Sequence, residues 1–269
     1  SAIDDKEFNV THIVRGIALR ISDDRQGYIY KYFGWEYPTT IYQGKLILKG
    51  TKSKTEIKEK LATGELQGWD DPRLSTVMSF RKKGFKPEAL IQFIKDLGIG
   101  RNDVQVSIDT LNALNRELID KEAGRYFFVK NPKKIKIKGA PKLKTKVLIH
   151  PDNPVGNSRI LSTNEEFYVS DEINKGQDYR LIHLFNFRDN KFVSLDYDAS
   201  VKTTMIHWVS VKDCVKVEVV MDDAGIVSGV GESALKKLKI GSIVQFVRFG
   251  FCILDEKKKD KLRFRFTHN

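Results

Sequence analysis

The side chains with chemistry to offer in this chain are forked nitrogen donors set beside apolar strands. Arg15 follows directly on VTHIV (10–14), and a guanidinium at a strand end presents a parallel pair of N–H groups that fits a carboxylate. Pairing with Asp4 or Asp5 is the competing use of that side chain. Further on, Arg125 stands in GRYFF, Arg180 in YRLIHLFN, and Gln245 with Arg248 in VQFVRFG. Arginine planes and amides beside an apolar sheet are what a splayed RNA base needs: a face to stack on, with donors and acceptors for its edge. Gln245 and Arg248 are three residues apart, so strict alternation puts them on opposite faces of a strand. A bulge or a strand end must intervene if both are to touch one base. The competing use for each arginine is a surface ion pair contributing about 0–1 kcal/mol, and for Gln245 a strand hydrogen bond.

The remaining reactive groups form no constellation. His12, His150, His183, His207 and His268 lie in unrelated strings without metal-ligand spacing, and Cys214 and Cys252 make no CxxC. Neither a metal centre nor a Ser/His/Asp or Cys/His nucleophile is expected. RKKG (81–84) offers cations to a phosphate, or is simply a solvated helix end. Lysines at 130, 133, 134, 136, 138, 142, 144 and 146 run without an acid between them, as either an exposed strand face or a stripe that tracks phosphates.

The elements that must position these groups change character along the chain. Up to residue 50, VTHIV reads as a buried-type strand, 22–33 as a helix stopped by Gly34, and 38–48 as another strand. The stretch 68–131 organises the rest. Ser75 is placed to cap a short helix that Gly84 ends, with Asp70 and Asp71 complementing its start. Pro87 opens a helix with Leu90, Ile91, Ile94 and Leu97 at helical spacing, and Gly98 stops it. Ser107 starts another, with Leu111, Leu114 and Leu118 as its inner face. From Tyr126 the period becomes two, and YFFV, KKIKIKG, EEFYV, YRLIHLFNF, KFVSL, MIHWV, VKVEVVM, SIVQFVRFGFCIL and KLRFRF read as strands. Turn-rich stretches such as HPDNPVGNS and DDAGIVSGVG separate them, and the expected architecture is one or two antiparallel barrels.

With 269 residues the chain has room for two or three domains, and no apolar run approaches a membrane span. A net charge of +12 favours polyanion partners, nucleic acid ahead of anionic lipid, since no amphipathic basic helix is present. A lysine-rich protein from a hot environment would have the same balance.

GWDDPRL (68–74), the R-x-x-G-x-x-P-E-A that follows (81–89) and GRYFFVKNP (124–132) resemble glutamyl-tRNA synthetases of the archaeal and eukaryotic type. FNVTHIVRG (8–16), YIYKYFGWEYP (28–38), MIHWV (205–209) and VQFVRFGFC (244–252) fit the same class I family in the same order. The resemblance implies an α+β multidomain chain. Residues 1–57 would be the end of a class I α/β catalytic domain with a KMSKS-like loop, and 58–125 a helical domain along the tRNA bend. Residues 126–269 would form two antiparallel β-barrels that grip the anticodon, the first completed by C-terminal strands.

The resemblance also assigns roles. Arg15 would recognise the glutamate side chain, and glutaminyl-tRNA synthetases, the close cousins, keep no arginine there. Lys52, Ser53 and Lys54 fall at the ATP loop, although Glu56 stands where a lysine is expected and only a two-residue slip restores Lys54. Arg125, Gln245 and Arg248 would surround the middle anticodon base, and Arg180 would lie near the first. The family's HIGH motif lies upstream of VTHIVRG, so the chain reads as a C-terminal portion, with no general acid or base of its own. It would bind tRNA(Glu), with tRNA(Gln) a further candidate, and act as a cytoplasmic monomer away from membranes. Glutamate, ATP and Mg²⁺ would belong to the full-length ligase, with no cofactor bound by this portion alone and no catalysis by it. A glutaminyl enzyme and a non-catalytic RNA-binding module of the same fold are the alternatives.

Overall fold

Four large apolar side chains in succession, Tyr126, Phe127, Phe128 and Val129, are all buried. A strand with one wet face cannot do that. Tyr126 and Phe128 point into a core with Val217, Val219, Phe246 and Phe264, whereas Phe127 and Val129 point into another with Phe167, Phe185, Ile206 and Trp208. The expected period of two is kept, with protein on both sides. The structure, a computed structural model, describes residues 1–48, 52–152, 157–197, 200 and 203–269. Residues 49–51, just ahead of Lys52 in the expected KMSKS-like loop, and 153–156 of the HPDNPVGNS turn lie outside the described residues.

The chain divides into two compact units, the first made of Ser1–Lys52 and Glu88–Leu114, the second of Ser53–Pro87 and Asn115–Asn269.

In the first unit the strands His12–Gly16 and Thr39–Gln43 pair in parallel, joined by the helix Arg20–Tyr32 and closed by Gly34 at φ +67°. The single strand expected over 38–48 is instead two. Leu46–Leu48 leaves the first pair and runs parallel to Val104–Val106. Gly44 makes the break: its N–H bonds the Gly100 carbonyl at 2.8 Å, and a Cβ there would sit 2.1 Å from the Asn102 oxygen. On the helix Pro87–Leu97 the buried positions are Ala89 and Phe93, while Ile91 and Ile94 are exposed. Apolar residues cover more than half of that helix's circumference, so periodicity alone fits two faces and packing selects one.

In the second unit, Thr76 rather than Ser75 caps the helix Val77–Lys83, accepting the Ser79 N–H, and Gly84 ends it at φ +90°. Asp71 folds onto Arg73 and Asp70 pairs with Lys82, so neither caps that helix. The helix Ile108–Ile119 belongs to this unit from Asn115 on, where it buries Asn115 and Ile119 and leaves Leu118 exposed; Leu111, in the first unit, is also buried. A polar residue holds the inner face because Asn115 accepts the Lys86 N–H at 2.8 Å and meets His268 Nε2 at 2.9 Å, partners that a local pattern does not reveal.

A seven-stranded sheet dominates this unit, in the order Gly124–Tyr126, Ile243–Phe246, Gly250–Lys257, Lys261–His268, Cys214–Val220, Ile226–Glu232, Phe128–Lys130. Its two edge strands are consecutive in the chain, separated by Phe127 alone, so the sheet curls into a nearly closed barrel with Phe127 at the seam. Most neighbours are antiparallel. Gly124–Tyr126 with Ile243–Phe246 and Cys214–Val220 with Lys261–His268 are parallel, because long connections rather than hairpins join them. Smaller sheets of four, three and two strands surround the second core.

Within that set, Lys133–Lys136 pairs with Glu166–Val169. Lys133 reaches Glu172 at 3.0 Å, Lys134 reaches Glu166 at 2.8 Å and Lys136 reaches Glu165 at 3.5 Å. The first part of the lysine run is therefore an ion-paired strand face, and its acids come from across the sheet. Lys142, Lys144 and Lys146 remain exposed.

Candidate nucleic-acid interface

Parallel pairing of Gly124–Tyr126 with Ile243–Phe246 sets Arg125 directly across from Gln245. The strand then ends at Phe246. A turn follows in which Phe249 N–H bonds the Phe246 carbonyl at 2.9 Å, and Arg248 adopts φ +63°. That strand end removes the parity obstacle between Gln245 and Arg248. Arg125, Gln245 and Arg248 all line one cleft of about 630 Å³.

The three are held differently. Arg125 donates to Asp120 Oδ1 at 2.8 Å and to the Ala123 carbonyl at 3.3 Å. Arg248, with 46% of its side chain exposed, pairs with Asp171 at 3.1 Å. The Gln245 amide has no hydrogen-bond partner among the described residues, so both its donor and its acceptor are open to a ligand.

Sequence reading missed several walls of this cleft. Phe127 borders it from the core, buried, and the exposed His183 ring lies nearly parallel to Phe127 at 6.4 Å. Burial, with Arg159 and Arg180 nearby, lowers the His183 pKa and favours the neutral ring. Lys146, Pro151 and Val247 add a cation and apolar surface. Arg159 is buried, donating to Glu232 Oε1 at 2.9 Å and to the Leu148 carbonyl at 2.8 Å, with its plane over the Tyr126 ring. No local signal marks Arg159, because its partner lies 73 residues further on.

Among the described residues that line the cleft there is no carboxylate. The acids that hold Arg125, Arg159 and Arg248 stand outside it. The result is a positive, partly apolar recess with an unsatisfied amide, suited to an anionic strand whose bases are unstacked.

Arg180 does not line this cleft. It is buried, and donates to Asn186 Oδ1 at 2.9 Å and to the Leu195 and Asp196 carbonyls at 3.3 Å, beneath the Tyr197 ring.

In the first unit Arg15 pairs with neither Asp4 nor Asp5. Its partners are Asp23 Oδ1 and Gln26 Oε1, each at 3.0 Å. Asp23 also accepts the hydroxyls of Tyr37 and Tyr42. Burial pushes the Asp23 carboxyl up, but those hydroxyls and Arg15 outweigh it and leave the pKa below normal. Burial and the Asp23 carboxylate push Tyr37 up to about 12. The guanidinium is thus fixed by a carboxylate that stays ionised at neutral pH, itself held by hydroxyls that stay protonated. Ser53 accepts the Glu56 N–H at 3.1 Å and caps the helix Lys54–Ala62, whose first residue is Lys54.

Comparison with known proteins matches successive stretches of the chain to related families. Residues 1–121 match the family described as tRNA synthetases class I (E and Q), catalytic domain. Residues 123–212 and 205–255 match the two described as tRNA synthetases class I (E and Q), anti-codon binding domain. The glutamate–tRNA ligase of Methanocaldococcus jannaschii is 40% identical over 270 residues, covering 96% of this chain and 49% of that protein. The glutamate–tRNA ligase of Pyrococcus abyssi is 38% identical over 286 residues, covering 100% of this chain and 50% of that protein. The chain spans about half the length of the curated relatives it matches.

Proposed function

The chain belongs to the class I tRNA synthetases of the E and Q type, and on that footing we propose that it is the tRNA-binding C-terminal portion of a cytoplasmic glutamate–tRNA ligase, which joins glutamate to tRNA(Glu) with ATP. The observation that carries the reading is the cationic cleft, without a carboxylate among its described lining residues, in which Arg125, Gln245 and Arg248 converge. An unstacked anticodon base would enter it and present its edge to the amide and the guanidinium groups. The domain plan goes with this: 1–57 closing the catalytic domain, 58–125 along the tRNA bend, and 126–269 as two barrels around the anticodon, the chain working as a monomer.

Glutamate selection is proposed for Arg15. A forked donor pre-set by Asp23 and Gln26 would pair with the substrate carboxylate and discriminate against an amide. Arg180 is proposed to contribute near the first anticodon base by shaping the loop it anchors.

ATP and Mg²⁺ would act in the full-length enzyme, with Lys52, Ser53 and Lys54 at the nucleotide loop. The Ser53 hydroxyl is engaged as a helix cap, and no cluster of three His, Cys, Asp or Glu side chains among the described residues is arranged for a metal. These residues do not compose a nucleotide or Mg²⁺ site by themselves.

Two measurements test the reading. The 269-residue chain should bind tRNA(Glu) more tightly than the same transcript with a substituted anticodon, without ATP–pyrophosphate exchange activity. Equal binding of both RNAs sinks the anticodon assignment. In the full-length enzyme, unchanged glutamate charging by Arg15→Cys removes Arg15 as the selector.

A further inference from the structure

Arg248 reaches the cleft on a guanidinium that is held before any ligand arrives. Nη2 donates to Asp171 Oδ1 at 3.1 Å and Nη1 to Asp171 Oδ2 at 3.3 Å, while Nη1 also reaches the Met205 carbonyl at 3.4 Å. A guanidinium has five N–H donors in a fixed plane, with two edges that each present a parallel pair. Asp171 takes the end-on edge, Nη1 with Nη2, and Met205 takes the outer Nη1 hydrogen. The side-on edge, Nε–H with the second Nη2–H, has no partner among the described residues.

Both ends of this contact are anchored. On the arginine side, Val247 N–H bonds the Tyr126 carbonyl at 3.0 Å and Phe249 N–H bonds Phe246 at 2.9 Å, so the residues flanking Arg248 are tied to the barrel. On the aspartate side, the Ser170 hydroxyl donates to the Lys130 carbonyl at 2.7 Å and the Tyr179 hydroxyl donates to the Glu172 carbonyl at 3.2 Å. Asp171 therefore projects from a short segment that is fixed immediately before and after it.

We infer that Asp171 is a positioning residue that locks Arg248 so that its side-on edge faces the cleft as a two-donor fork for carbonyl oxygens on an unstacked base. The inference rests on the proposed reading of the cleft as an RNA-base site. A mobile arginine would spread its charge over phosphates of any sequence. A locked one meets a base edge in one orientation, and its ordering cost has already been met in the free protein. Asp171 thus converts a general cation into a selective one. As a half-exposed ion pair it should add little to folding stability, which separates a positioning role from a structural one.

The test uses the 269-residue chain, carrying Asp171→Asn, Asp171→Glu or Arg248→Ala, with tRNA(Glu) transcripts bearing the cognate or a substituted middle anticodon base. Asp171→Asn keeps the shape but turns an amide N–H toward one guanidinium N–H, so the lock opens. We expect Asp171→Asn to lower the cognate preference by about fivefold or more with noncognate affinity unchanged, and Asp171→Glu to restore most of it. A readout free of RNA accompanies this: the ¹⁵N-detected Arg248 Nε–H signal, sharp in the wild type and broadened in Asp171→Asn. Full discrimination by Asp171→Asn, or an unbroadened signal, overturns the lock while leaving the cleft assignment standing if Arg248→Ala still loses discrimination. Tighter binding of both RNAs by Asp171→Asn makes Asp171 a competitor of the ligand and also overturns it. If Arg248→Ala discriminates as well as the wild type, the cleft assignment fails and the inference fails with it.

Discussion

Glu232 and Arg159 form a buried pair whose carboxylate does double service: Oε1 accepts Arg159 Nη2 at 2.9 Å and also the Phe127 backbone N–H at 2.6 Å. Phe127 is the seam of the barrel, and the Glu232 N–H returns a bond to its carbonyl at 3.3 Å. With Arg159 also bound to the Leu148 carbonyl, one ion pair ties the closing strand to the ribbon that walls the cleft.

Removing one partner of that pair should be costly. Burial pushes the Glu232 carboxyl up while Arg159 and the Phe127 N–H pull it back, so the ionised form depends on its partners. Glu232→Leu strands a buried guanidinium and should lower unfolding free energy by about 3–5 kcal/mol, whereas Arg159→Met combined with Glu232→Leu should lose much less than the sum of the single changes. Urea unfolding of the three variants measures this. Additive losses would show that the pair is not coupled.

Arg125→Ala and Arg248→Ala should each weaken tRNA(Glu) binding by about 1–3 kcal/mol, most strongly with the cognate anticodon. Lys146→Ala should instead weaken all RNAs alike and reduce the salt dependence of binding, as expected for an exposed lysine that meets phosphate. Filter binding over a range of salt concentrations distinguishes the two patterns.

Stability should fall as the solution is acidified below about pH 6.5, the ordinary histidine range. Burial lowers the folded-state pKa values of His183, His207 and His268. The unfolded chain then binds more protons than the folded one in that window, so unfolding free energy rises with pH through it and is lost on the acid side. His207 donates from Nε2 to the Phe128 carbonyl, and its Nδ1 is buried without a partner, so protonation there leaves a charged donor unsatisfied. Urea melts at pH 7.5 and 5.5 should differ, and His207→Gln should flatten the difference.

A second acid transition belongs to Asp71. The Arg73 guanidinium, with backbone N–H groups of Gln67 and Arg73, holds its carboxyl down to about 2, while burial opposes. A depressed carboxyl contributes stability that is complete above about pH 4 and disappears as pH falls through about 2, on the order of 1–2 kcal/mol here. Asp71→Asn should remove that contribution at neutral pH and leave a flatter acid limb in urea melts below pH 4.

Much of the chain is legible in the sequence. Gly34, Gly84, Pro87 and Gly98 sit at helix ends because glycine alone tolerates positive φ cheaply and proline fits a first turn, and both constraints are local. The same holds for the period of two after Tyr126 and for the need of a strand end between Gln245 and Arg248. What the sequence could not decide were relations between residues far apart. Asp23 takes Arg15 in place of Asp4 or Asp5, acids across the sheet neutralise part of the lysine run, and Asn115 displaces a leucine from an inner face. Arg159, Glu232 and Asp171 carry no signal of their own, since each acquires meaning from a partner that chain folding delivers. Backbone conformation is set over a few residues and can be read from them. Electrostatic partnership acts through space, and only the tertiary structure assigns it.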